Sequence, residues 1–449
     1  MFEKILIANR GEIAVRIIRA CRAMNIKTVA VHSTADKHAL HVYLADESVC
    51  IGPPAARDSY LNITAIIAAA KGTGAQAIHP GYGFLSENST FGKLCRENDI
   101  VFIGPAPEVI DRMGNKSQAR KTMMEAGVPV VPGTKEPVHA LEAALEKAHD
   151  IGWPIMIKAS SGGGGKGMRV SLNEHDFADQ FGIAQRESVG AFGDNTMYLE
   201  RCVINPRHVE VQIIADTYGN VVALGERDCS VQRNHQKMIE ESPSPALTEH
   251  VRTEMLEAAV RAAQAVGYSS AGTIEFLLDD QLNYYFMEMN TRIQVEHPVT
   301  EMVTGIDLVE EMIRVAAGEA LTFSQDDISY RGHAIECRVN AEQPERDFLP
   351  SPGTISQMHL PGGNGVRVDT AAYDGYAVTP YYDSMIAKVI VHGSDRTEAI
   401  AKMRTALEEM VIVGVKTNLD FQYAIMENET FAAGLADTSF IERFMKGEV

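Results

Sequence analysis

The sequence predicts a multidomain protein of mixed α/β and α+β class, on three observations. The chain has 449 residues, enough for two to four domains that each bury a core. Its N-terminal part alternates short apolar strands with an amphipathic helix, which favours a parallel sheet covered by helices on both faces. A glycine cluster flanked by strand patterns follows near residue 160, and a β-rich stretch occupies the chain after about residue 330.

The first region is predicted to contain four strands and one long helix. The helix covers Glu12 to Ala23, because Ile13, Ile17 and Ala20 share one helical face. The strands are short apolar runs bounded by polar residues. They cover Lys4 to Ala8, Lys27 to His32, Ala75 to His79 and Ile100 to Ile103.

Three domains are predicted from changes in these patterns. The first covers residues 1–114. The second covers residues 115–330 and includes a lid at about 131–203, which begins at the turn VPVVPGT. The third covers residues 331–449, with alternating strands and a helix from about Thr397 to Met410.

Charge and composition exclude several classes of protein. The formal net charge is -19, which argues against non-specific nucleic-acid binding. No run of about 18 apolar residues predicts a membrane span, and the N-terminus does not resemble a secretory signal. The six cysteines show no CxxC spacing, which is typical of reduced thiols rather than disulfides or zinc sites. We therefore expect a cytoplasmic protein.

The strongest local motif is KASSGGGGKGM, residues 158–168. It matches GxGxxG formally, but a strand pattern rather than a helix follows it, so a dinucleotide site is not indicated. It also fails the phosphate-loop pattern, because Lys166 precedes Gly167 instead of Ser or Thr. A strand–loop–strand flap remains, whose glycine amides can approach phosphate oxygens. The alternative is a flexible surface hairpin; Lys158, at the end of the apolar strand WPIMIK, favours the phosphate interpretation.

Two carboxylates mark a second motif. Glu275 lies in GTIEFLL and Glu288 in YYFMEMN, and the turn-like DDQLN joins the two strand patterns into a hairpin. Glu288 and Asn290 share one face of their strand. Two carboxylates and an amide oxygen suit magnesium. The alternative is a solvent-facing strand edge, which the apolar flanking residues make the weaker hypothesis.

Arg292, Gln294 and Glu296 follow at alternate positions. If the chain stays extended, all three line the face that carries the metal ligands. A cation, an amide and an acid beside a metal–nucleotide site can hold and deprotonate a small oxyanion. The alternative is a structural ion pair between Arg292 and Glu296.

These motifs resemble known proteins. The flap with Lys158, the carboxylate hairpin and EMNTRIQVEHPVTE resemble the ATP-grasp superfamily. IANRGEIAVRIIRAC, HPGYGFLSEN, GGGGKGMR, RHVEVQI, ERDCSVQRNHQK and PYYDSMIAK resemble biotin carboxylases, from Ile5 to past Lys416. The resemblance implies a three-domain ATP-grasp enzyme with a Rossmann-like N-terminal parallel sheet, a flexible lid and a mixed, β-rich C-terminal domain.

The resemblance also implies roles for particular residues. Those expected to bind ATP are Lys116 and Lys158 at the phosphates, Gly164 and Gly165 in the lid, Glu200, Arg201, Cys202 and Val203 in the adenine hinge, His208, Gln232 and His235 at the nucleotide, and Glu275 and Glu288 through metal. Two Mg²⁺ or Mn²⁺ ions are expected on Glu275, Glu288 and Asn290. Bicarbonate is expected on Lys237, Arg292, Gln294 and Val295, with Glu296 as its base. Biotin is expected at Arg338, which would face the ureido oxygen, with Tyr82 nearby. The catalytic group would be Arg292, Glu296, Lys237 and Arg338.

The implied reaction is ATP- and bicarbonate-dependent carboxylation of biotin through carboxyphosphate. Biotin is attached to lysine in an Ala-Met-Lys-Met tetrapeptide, which this sequence lacks; Met445 and Lys446 lie too near its end to take that place. We therefore expect a separate biotin carboxyl carrier protein, carboxyltransferase subunits and a homodimer. The first half-reaction of acetyl-CoA carboxylase in fatty acid synthesis is expected, with another acyl-CoA or pyruvate as alternative acceptors.

Two other functions stay open at this point. An ATP-grasp carboxylate–amine ligase would share the nucleotide site but leaves the C-terminal motifs without a role. A nucleotide-binding regulatory protein without turnover would not need Lys237, Glu288, Arg292 and Glu296 together.

Overall fold

The structure is a computed structural model that describes residues 1–134, 136–159, 168–192 and 194–449. The predicted lid residues Gly164 and Gly165 lie outside the described residues. The described chain forms two compact units. The first comprises residues 1–128, 207–276 and 288–449, and the second comprises 129–206 and 277–287. The three predicted domain boundaries stay a prediction.

Strands and helices are numbered here in chain order. The strands are β1 (Lys4–Ile7), β2 (Lys27–Ser33), β3 (Glu47–Gly52), β4 (Ala77–His79), β5 (Val101–Phe102), β6 (Ile155–Ala159), β7 (Met168–Ser171), β8 (Met197–Arg201), β9 (Arg207–Ala215), β10 (Val221–Arg233), β11 (Gln236–Ser242), β12 (Ser270–Leu278), β13 (Tyr284–Asn290), β14 (His333–Asn340), β15 (Glu342–Gln343), β16 (Leu349–Pro350), β17 (Gly353–Thr354), β18 (Gln357–His359), β19 (Val366–Thr370), β20 (Ala377–Val378), β21 (Met385–Gly393) and β22 (Val411–Val413). The helices are α1 (Gly11–Ala23), α2 (Leu40–Leu44), α3 (Ile63–Thr73), α4 (Ser89–Glu97), α5 (Pro107–Gly114), α6 (Lys116–Glu125), α7 (Leu141–Ile151), α8 (Glu174–Phe192), α9 (Glu249–Val266), α10 (His297–Thr304), α11 (Leu308–Ala316), α12 (Arg396–Glu409), α13 (Leu419–Glu427), α14 (Glu429–Ala432) and α15 (Phe440–Met445).

The first unit begins with a five-stranded sheet in the order β3-β2-β1-β4-β5. Its neighbouring strands all run parallel. The four predicted strands are confirmed as β1, β2, β4 and β5, and the predicted helix as α1. Ile13 and Ile17 of α1 are buried against Ile5 and Ile7 of β1, so the apolar face of the helix covers the sheet as its spacing predicted.

A second sheet has eight strands in the order β13-β12-β9-β10-β11-β14-β21-β19. The pairs from β9 to β19 along this order are antiparallel where the register is defined. Helix α12 packs Ala399 and Met403 into the core formed by β14 and β21, and Asp395 caps its N-terminus by accepting from the Glu398 amide. The predicted helix from about Thr397 to Met410 is therefore confirmed.

The second unit is built on a three-stranded antiparallel sheet in the order β7-β6-β8. Alternate residues of β6, Ile155 and Ile157, are buried against Phe177 and Phe181 of α8. The strand predictions WPIMIK and MRVSL are confirmed as β6 and β7. Parallel, antiparallel and helical layers together confirm the mixed α/β and α+β class.

No helix in the described ranges combines the length and the apolarity needed to span a bilayer. All six cysteines lie in the described part of the chain and carry free thiols.

Candidate active site

The carboxylate hairpin consists of β12 and β13, and its two acids differ in environment. Glu275 on β12 is buried, with 4% of its surface exposed. Glu288 on β13 is exposed. The expectation that apolar flanking residues keep Glu288 from solvent is wrong, because β13 is the edge strand of its sheet. Although the side chain of Glu288 is exposed, surrounding atoms partly desolvate its carboxylate, and this desolvation and the charge of Glu275 raise its pKa, whereas Lys116 lowers it.

Lys237 of β11 lies where three carboxylates converge. Its Nζ donates to Glu210 at 2.7 Å, to Glu275 at 3.0 Å and to Glu296 at 2.7 Å. Burial would lower the pKa of Lys237, but Cys229 and these acids raise it well above its ordinary value. Lys237 is therefore an ammonium, and one cation is shared among three acids that come from distant parts of the sequence.

A second buried cation, Arg227 of β10, contacts the same cluster. Its side chain is fully buried and its Nε donates to Glu210 at 2.6 Å. Its Nη1 donates to Gln212 at 2.6 Å and to Thr300 at 2.9 Å. Glu210 thus lies between Arg227 and Lys237 and bonds to both. Sequence reasoning missed both Glu210 and Arg227, although RHVEVQI and ERDCSVQRNHQK contain them.

Glu296 precedes the first residue of α10 and is fully buried. Its Oε1 accepts from Lys237, and its Oε2 accepts from Nη2 of Arg338 at 3.0 Å. Burial would raise the pKa of Glu296, but Lys237, Arg338 and Arg227 hold it well below its ordinary value. The carboxylate is therefore ionised and available to accept a proton.

Arg338 on β14 joins Glu296 to a further buried acid. Its Nε donates to Oε1 of Glu240 at 2.6 Å, and Glu240 lies on the neighbouring strand β11. Burial raises the pKa of Glu240 to about 7, even though Arg338 lowers it. Arg338 is thus oriented by two carboxylates, only one of which was predicted to belong to the site.

Arg292, Gln294 and Glu296 do not lie on an extended strand, and that expectation is wrong. Strand β13 ends at Asn290, and residues 291–296 belong to no strand or helix, with bends at 291–292 and a turn at 295–296. Side-chain hydrogen bonds nevertheless connect this segment to the carboxylate hairpin. Arg292 donates to Asn290 at 2.7 Å and to Gln294 at 2.8 Å, and Gln294 donates to Glu275 at 3.2 Å.

The alternative of an ion pair between Arg292 and Glu296 is wrong for the described residues. Arg292 pairs instead with Glu87, whose Oε2 accepts from Nε at 2.8 Å. Glu87 ends the motif HPGYGFLSE, so that motif contributes an acid that holds the predicted bicarbonate arginine. Sequence reasoning assigned Glu87 no role.

The residues predicted to contact the nucleotide are divided between the two units. In the first unit, Nε2 of His208 lies 3.2 Å from Glu275, Lys116 begins α6, and Gln232 is buried near the end of β10. His235 occupies the β10–β11 turn with φ of 63°.

In the second unit, Lys158 of β6 donates to Glu200 of β8. The amides of Arg201 and Cys202 donate to the carbonyls of Pro132 and Pro154, at 2.8 and 2.7 Å. Val203 follows at the end of this segment and is half-buried. The roles of all these residues stay predictions.

Tyr82 is held by the N-terminal helix. Its hydroxyl donates to Glu12 of α1, and Asn9 donates to its carbonyl at 2.7 Å. Burial and the charge of Glu12 raise the pKa of Tyr82 well above its ordinary value, while Arg338 lowers it. The tyrosine is therefore a neutral group whose direction is set by Glu12.

The side chains of Glu275, Glu288 and Asn290 are of the type that binds a divalent cation. Oxygen atoms of Glu275, Glu288 and Asn290 are hard ligands of the kind magnesium prefers, and the Glu275 charge raises the pKa of Glu288 by a repulsion that a cation would relieve. Two further clusters bring possible ligand atoms within 4.8 Å: His208, Glu210 and Glu275, and Glu210, Cys229 and Glu296. Lys237 contacts all three acids of these clusters, so an ammonium already occupies part of the space between them and offsets part of their charge.

Family models match three consecutive segments of the chain. Residues 1–110 match the biotin carboxylase N-terminal domain, and residues 336–443 match the biotin carboxylase C-terminal domain. Between them, residues 115–324 match the ATP-binding domain of the carbamoyl-phosphate synthase L chain. Together these matches cover nearly the whole sequence.

Relatives and a solved structure resemble the whole chain. Biotin carboxylase 1 of Bacillus subtilis is 56% identical over 99% of this chain and 99% of its own length. A pyruvate carboxylase subunit of Methanothermobacter thermautotrophicus is 53% identical over 100% of this chain and 91% of its own length. The biotin carboxylase domain dimer of Hydrogenobacter thermophilus 2-oxoglutarate carboxylase, solved with ADP, its magnesium salt and bicarbonate, is 48% identical with a TM-score of 0.88, over 100% of this chain and 99% of that one.

Proposed function

This chain belongs to the biotin carboxylase family of ATP-grasp ligases and carboxylates biotin in an ATP-dependent reaction; from that premise we propose the roles of its residues and its partners. One observation carries the proposal: the buried carboxylate of Glu296 accepts hydrogen bonds from Lys237 and Arg338 at once. The base is therefore bonded both to the cation assigned to bicarbonate and to the arginine assigned to biotin.

Glu296 takes the proton of bicarbonate. The cations around Glu296 lower its pKa and make it a weak base, but Lys237 and Arg292 likewise lower the pKa of bound bicarbonate by favouring the carbonate dianion. Gln294 and Val295 complete the bicarbonate site. The proton therefore moves from bicarbonate to Glu296, and neighbouring cations lower the pKa of both groups.

Bicarbonate then attacks the γ-phosphorus of ATP, and carboxyphosphate and ADP form. Lys116 and Lys158 bind the phosphates, and Gly164 and Gly165 are assigned to the lid. His208, Gln232 and His235 contact the nucleotide, and the segment Glu200, Arg201, Cys202 and Val203 receives adenine. Two Mg²⁺ or Mn²⁺ ions on Glu275, Glu288 and Asn290 would supply charge neutralisation for phosphoryl transfer.

Carboxyphosphate breaks down to carbon dioxide and phosphate, and the phosphate removes the N1 proton of biotin. Arg338 stabilises the enolate that develops on the ureido oxygen, since its guanidinium charge is already oriented by Glu240 and Glu296. Tyr82 lies at the biotin side. The carbon dioxide then bonds to N1.

Biotin is carried by a separate biotin carboxyl carrier protein, and carboxyltransferase subunits use the product. We expect a homodimer in the cytoplasm, where the six free thiols stay reduced. Acetyl-CoA, for fatty acid synthesis, is the expected acceptor. Another acyl-CoA or pyruvate is the alternative, because the relatives named for biotin carboxylase and for pyruvate carboxylase have similar identities to this chain, 56% and 53%.

Oxygen-labelled bicarbonate tests the first step. With ATP, magnesium and free biotin, one labelled oxygen should appear in inorganic phosphate. Glu296→Gln, which keeps the shape of the side chain but cannot take the proton, should reduce turnover about 10²- to 10⁴-fold while ATP still binds. Label that reaches phosphate only from water would show attack by water and contradict the proposal.

Arg338→Ala serves as the matched variant for the second step. It should abolish biotin carboxylation and leave slow bicarbonate-dependent ATP hydrolysis, because its assigned place is at biotin. Equal loss of both activities in a folded variant would contradict the division of roles.

A further inference from the structure

A fully buried lysine in the motif PYYDSMIAK lies behind the bicarbonate residues. Lys388 of β21 has no exposed side-chain surface. Its Nζ donates to the carbonyl oxygen of Val295 at 2.6 Å and lies 3.3 Å from Oε1 of Glu12. None of the roles above uses Lys388, and Glu12 has been described only as the acceptor for the Tyr82 hydroxyl.

The contact with Val295 fixes the peptide plane that joins Val295 to Glu296. A peptide group is rigid, so orienting the Val295 carbonyl also orients the Glu296 amide and restricts both neighbouring α-carbons. Residues 291–296 belong to no strand or helix, so no ladder of backbone hydrogen bonds sets this plane. Lys388 supplies the missing constraint from another strand.

The contact with Glu12 connects Lys388 to Tyr82, a residue assigned to biotin. Oε1 of Glu12 accepts the hydroxyl of Tyr82 and faces Nζ of Lys388. One continuous series of contacts thus runs from the Val295 carbonyl through Lys388 and Glu12 to Tyr82. Its two ends are residues assigned to bicarbonate and to biotin.

The charge of Lys388 is maintained by its surroundings. Burial would lower its pKa, but Glu12, Glu336 and Asp369 raise it, against a smaller effect of Arg367. A buried ammonium must place each of its three N–H donors on an acceptor, so the bond to Val295 also satisfies a donor. The acceptor that it uses determines what the lysine orients, and here that acceptor is the carbonyl of a residue assigned to bicarbonate.

We propose that Lys388 is a positioning residue that orients the Val295–Glu296 peptide for bicarbonate, and that Glu12 links it to Tyr82 and so to biotin. This inference rests on the proposed function, because it assigns a role through the residues placed there. Removing Lys388 should impair the use of bicarbonate, and removing the charge of Glu12 should impair the use of biotin.

The test compares Lys388→Met with Lys402→Met. Lys402 also donates to a backbone carbonyl, that of His392 on the same strand as Lys388, but lies outside the site. Lys388→Met should raise the KM for bicarbonate about 10- to 100-fold, the range for losing a hydrogen bond from a charged group, and leave the KM for ATP within about twofold. Lys402→Met should leave both constants unchanged.

Glu12 variants separate positioning from charge balance. Glu12→Gln keeps the Lys388–Val295 bond, so it should raise the KM for free biotin and spare the KM for bicarbonate. The double variant Lys388→Met with Glu12→Gln removes both buried charges and restores their balance. The double variant should still show the raised KM for bicarbonate. A normal KM for bicarbonate in the double variant would mean that Lys388 only balances the charge of Glu12, and this result would overturn the inference.

The remaining outcomes also decide the matter. If Lys388→Met alone does not fold, the charge-balanced double variant decides in its place, since a normal KM for bicarbonate there would overturn the inference. If the parent chain itself shows no bicarbonate-dependent ATP hydrolysis, the proposed function fails. If the parent turns over and Lys388→Met matches it, only this inference fails.

Discussion

At the scale of single residues, two consecutive glutamates of β11 show how burial and partners set opposite acidities. Burial raises the pKa of Glu240 to about 7 despite its bond to Arg338, and Glu296 and Lys237 also act on it. Glu241 is buried too, but its bonds to His333 and Arg396 outweigh burial and lower its pKa. The nearby anion of Glu296 raises the pKa of Glu240, whereas Glu241 accepts hydrogen bonds from two side chains, and this difference in neighbours separates the two.

Glu240→Gln should therefore change the pH dependence of stability. Because the folded chain holds the Glu240 proton up to about pH 7 and the unfolded chain releases it near the ordinary value of 4.5, this group lowers the free energy of unfolding as pH rises through that window. Relative to the parent, the variant should become more stable from pH 4.5 to 7, by at most about 3 kcal/mol. Melting temperatures across this range measure the difference.

Glu241→Gln is the matched control, because its sign is opposite. A lowered pKa stabilises the fold above the ordinary value of the carboxyl and loses that effect as pH falls through the folded value. The variant should be destabilised by a nearly constant amount between pH 4.5 and 7, and approach the parent only below that range. Parallel curves for both variants would contradict the assigned pKa of Glu240.

At the scale of elements, Arg227 ties β10 to the neighbouring strands and to α10. It donates to Glu210 and Gln212 on β9, to Thr273 on β12 and to Thr300 on α10. The position of α10 matters because Glu296 immediately precedes it. One buried guanidinium therefore fixes the helix that follows the base.

Arg227→Met should destabilise the first unit strongly. The change removes a cation and leaves Glu210 with Lys237 alone, and breaking a buried pair costs about 3–5 kcal/mol. Arg404→Met is the control, since Arg404 and Glu427 form an exposed pair, and exposed pairs contribute little to stability. Calorimetric melting should show a much larger shift for Arg227→Met; equal shifts would contradict the role of Arg227.

At the scale of the whole molecule, the predicted site residues fall in two separately packed units. Glu296, Lys237, Arg292 and Arg338 belong to the first unit, whereas Lys158 and Glu200 belong to the second. Lys158 is held by Glu200 within its own sheet. Substitutions in the second unit should therefore affect the nucleotide and not bicarbonate or biotin.

Lys158→Met should weaken ADP binding about 10- to 100-fold, since it removes a charged donor to phosphate. Calorimetric titration with ADP and magnesium measures this, and the KM for bicarbonate should stay near that of the parent. Lys147→Met is the matched control, because Lys147 lies in the same unit on α7 and is exposed. Unchanged ADP affinity in Lys158→Met would contradict the phosphate role.

Local patterns were enough to predict the fold class, the main strands and helix of the N-terminal sheet, the hairpin strands beside the glycine motif and the family. These follow from periodicity and from ordered motifs, which need no knowledge of long-range contacts. The motifs also named Lys237, Glu296 and Arg338, which the structure brings into contact.

Long-range packing determined which charged side chains come into contact. Glu210, Arg227, Glu87, Glu240 and Lys388 join the site from strands and loops that are far apart in sequence, so no spacing rule could find them. The exposure of Glu288 depends on which strand ends the sheet, and the bend after Asn290 overrides the extended conformation that alternate spacing predicts. The acidities of the buried groups follow from the same packing, because each depends on how many opposite charges the fold places around it.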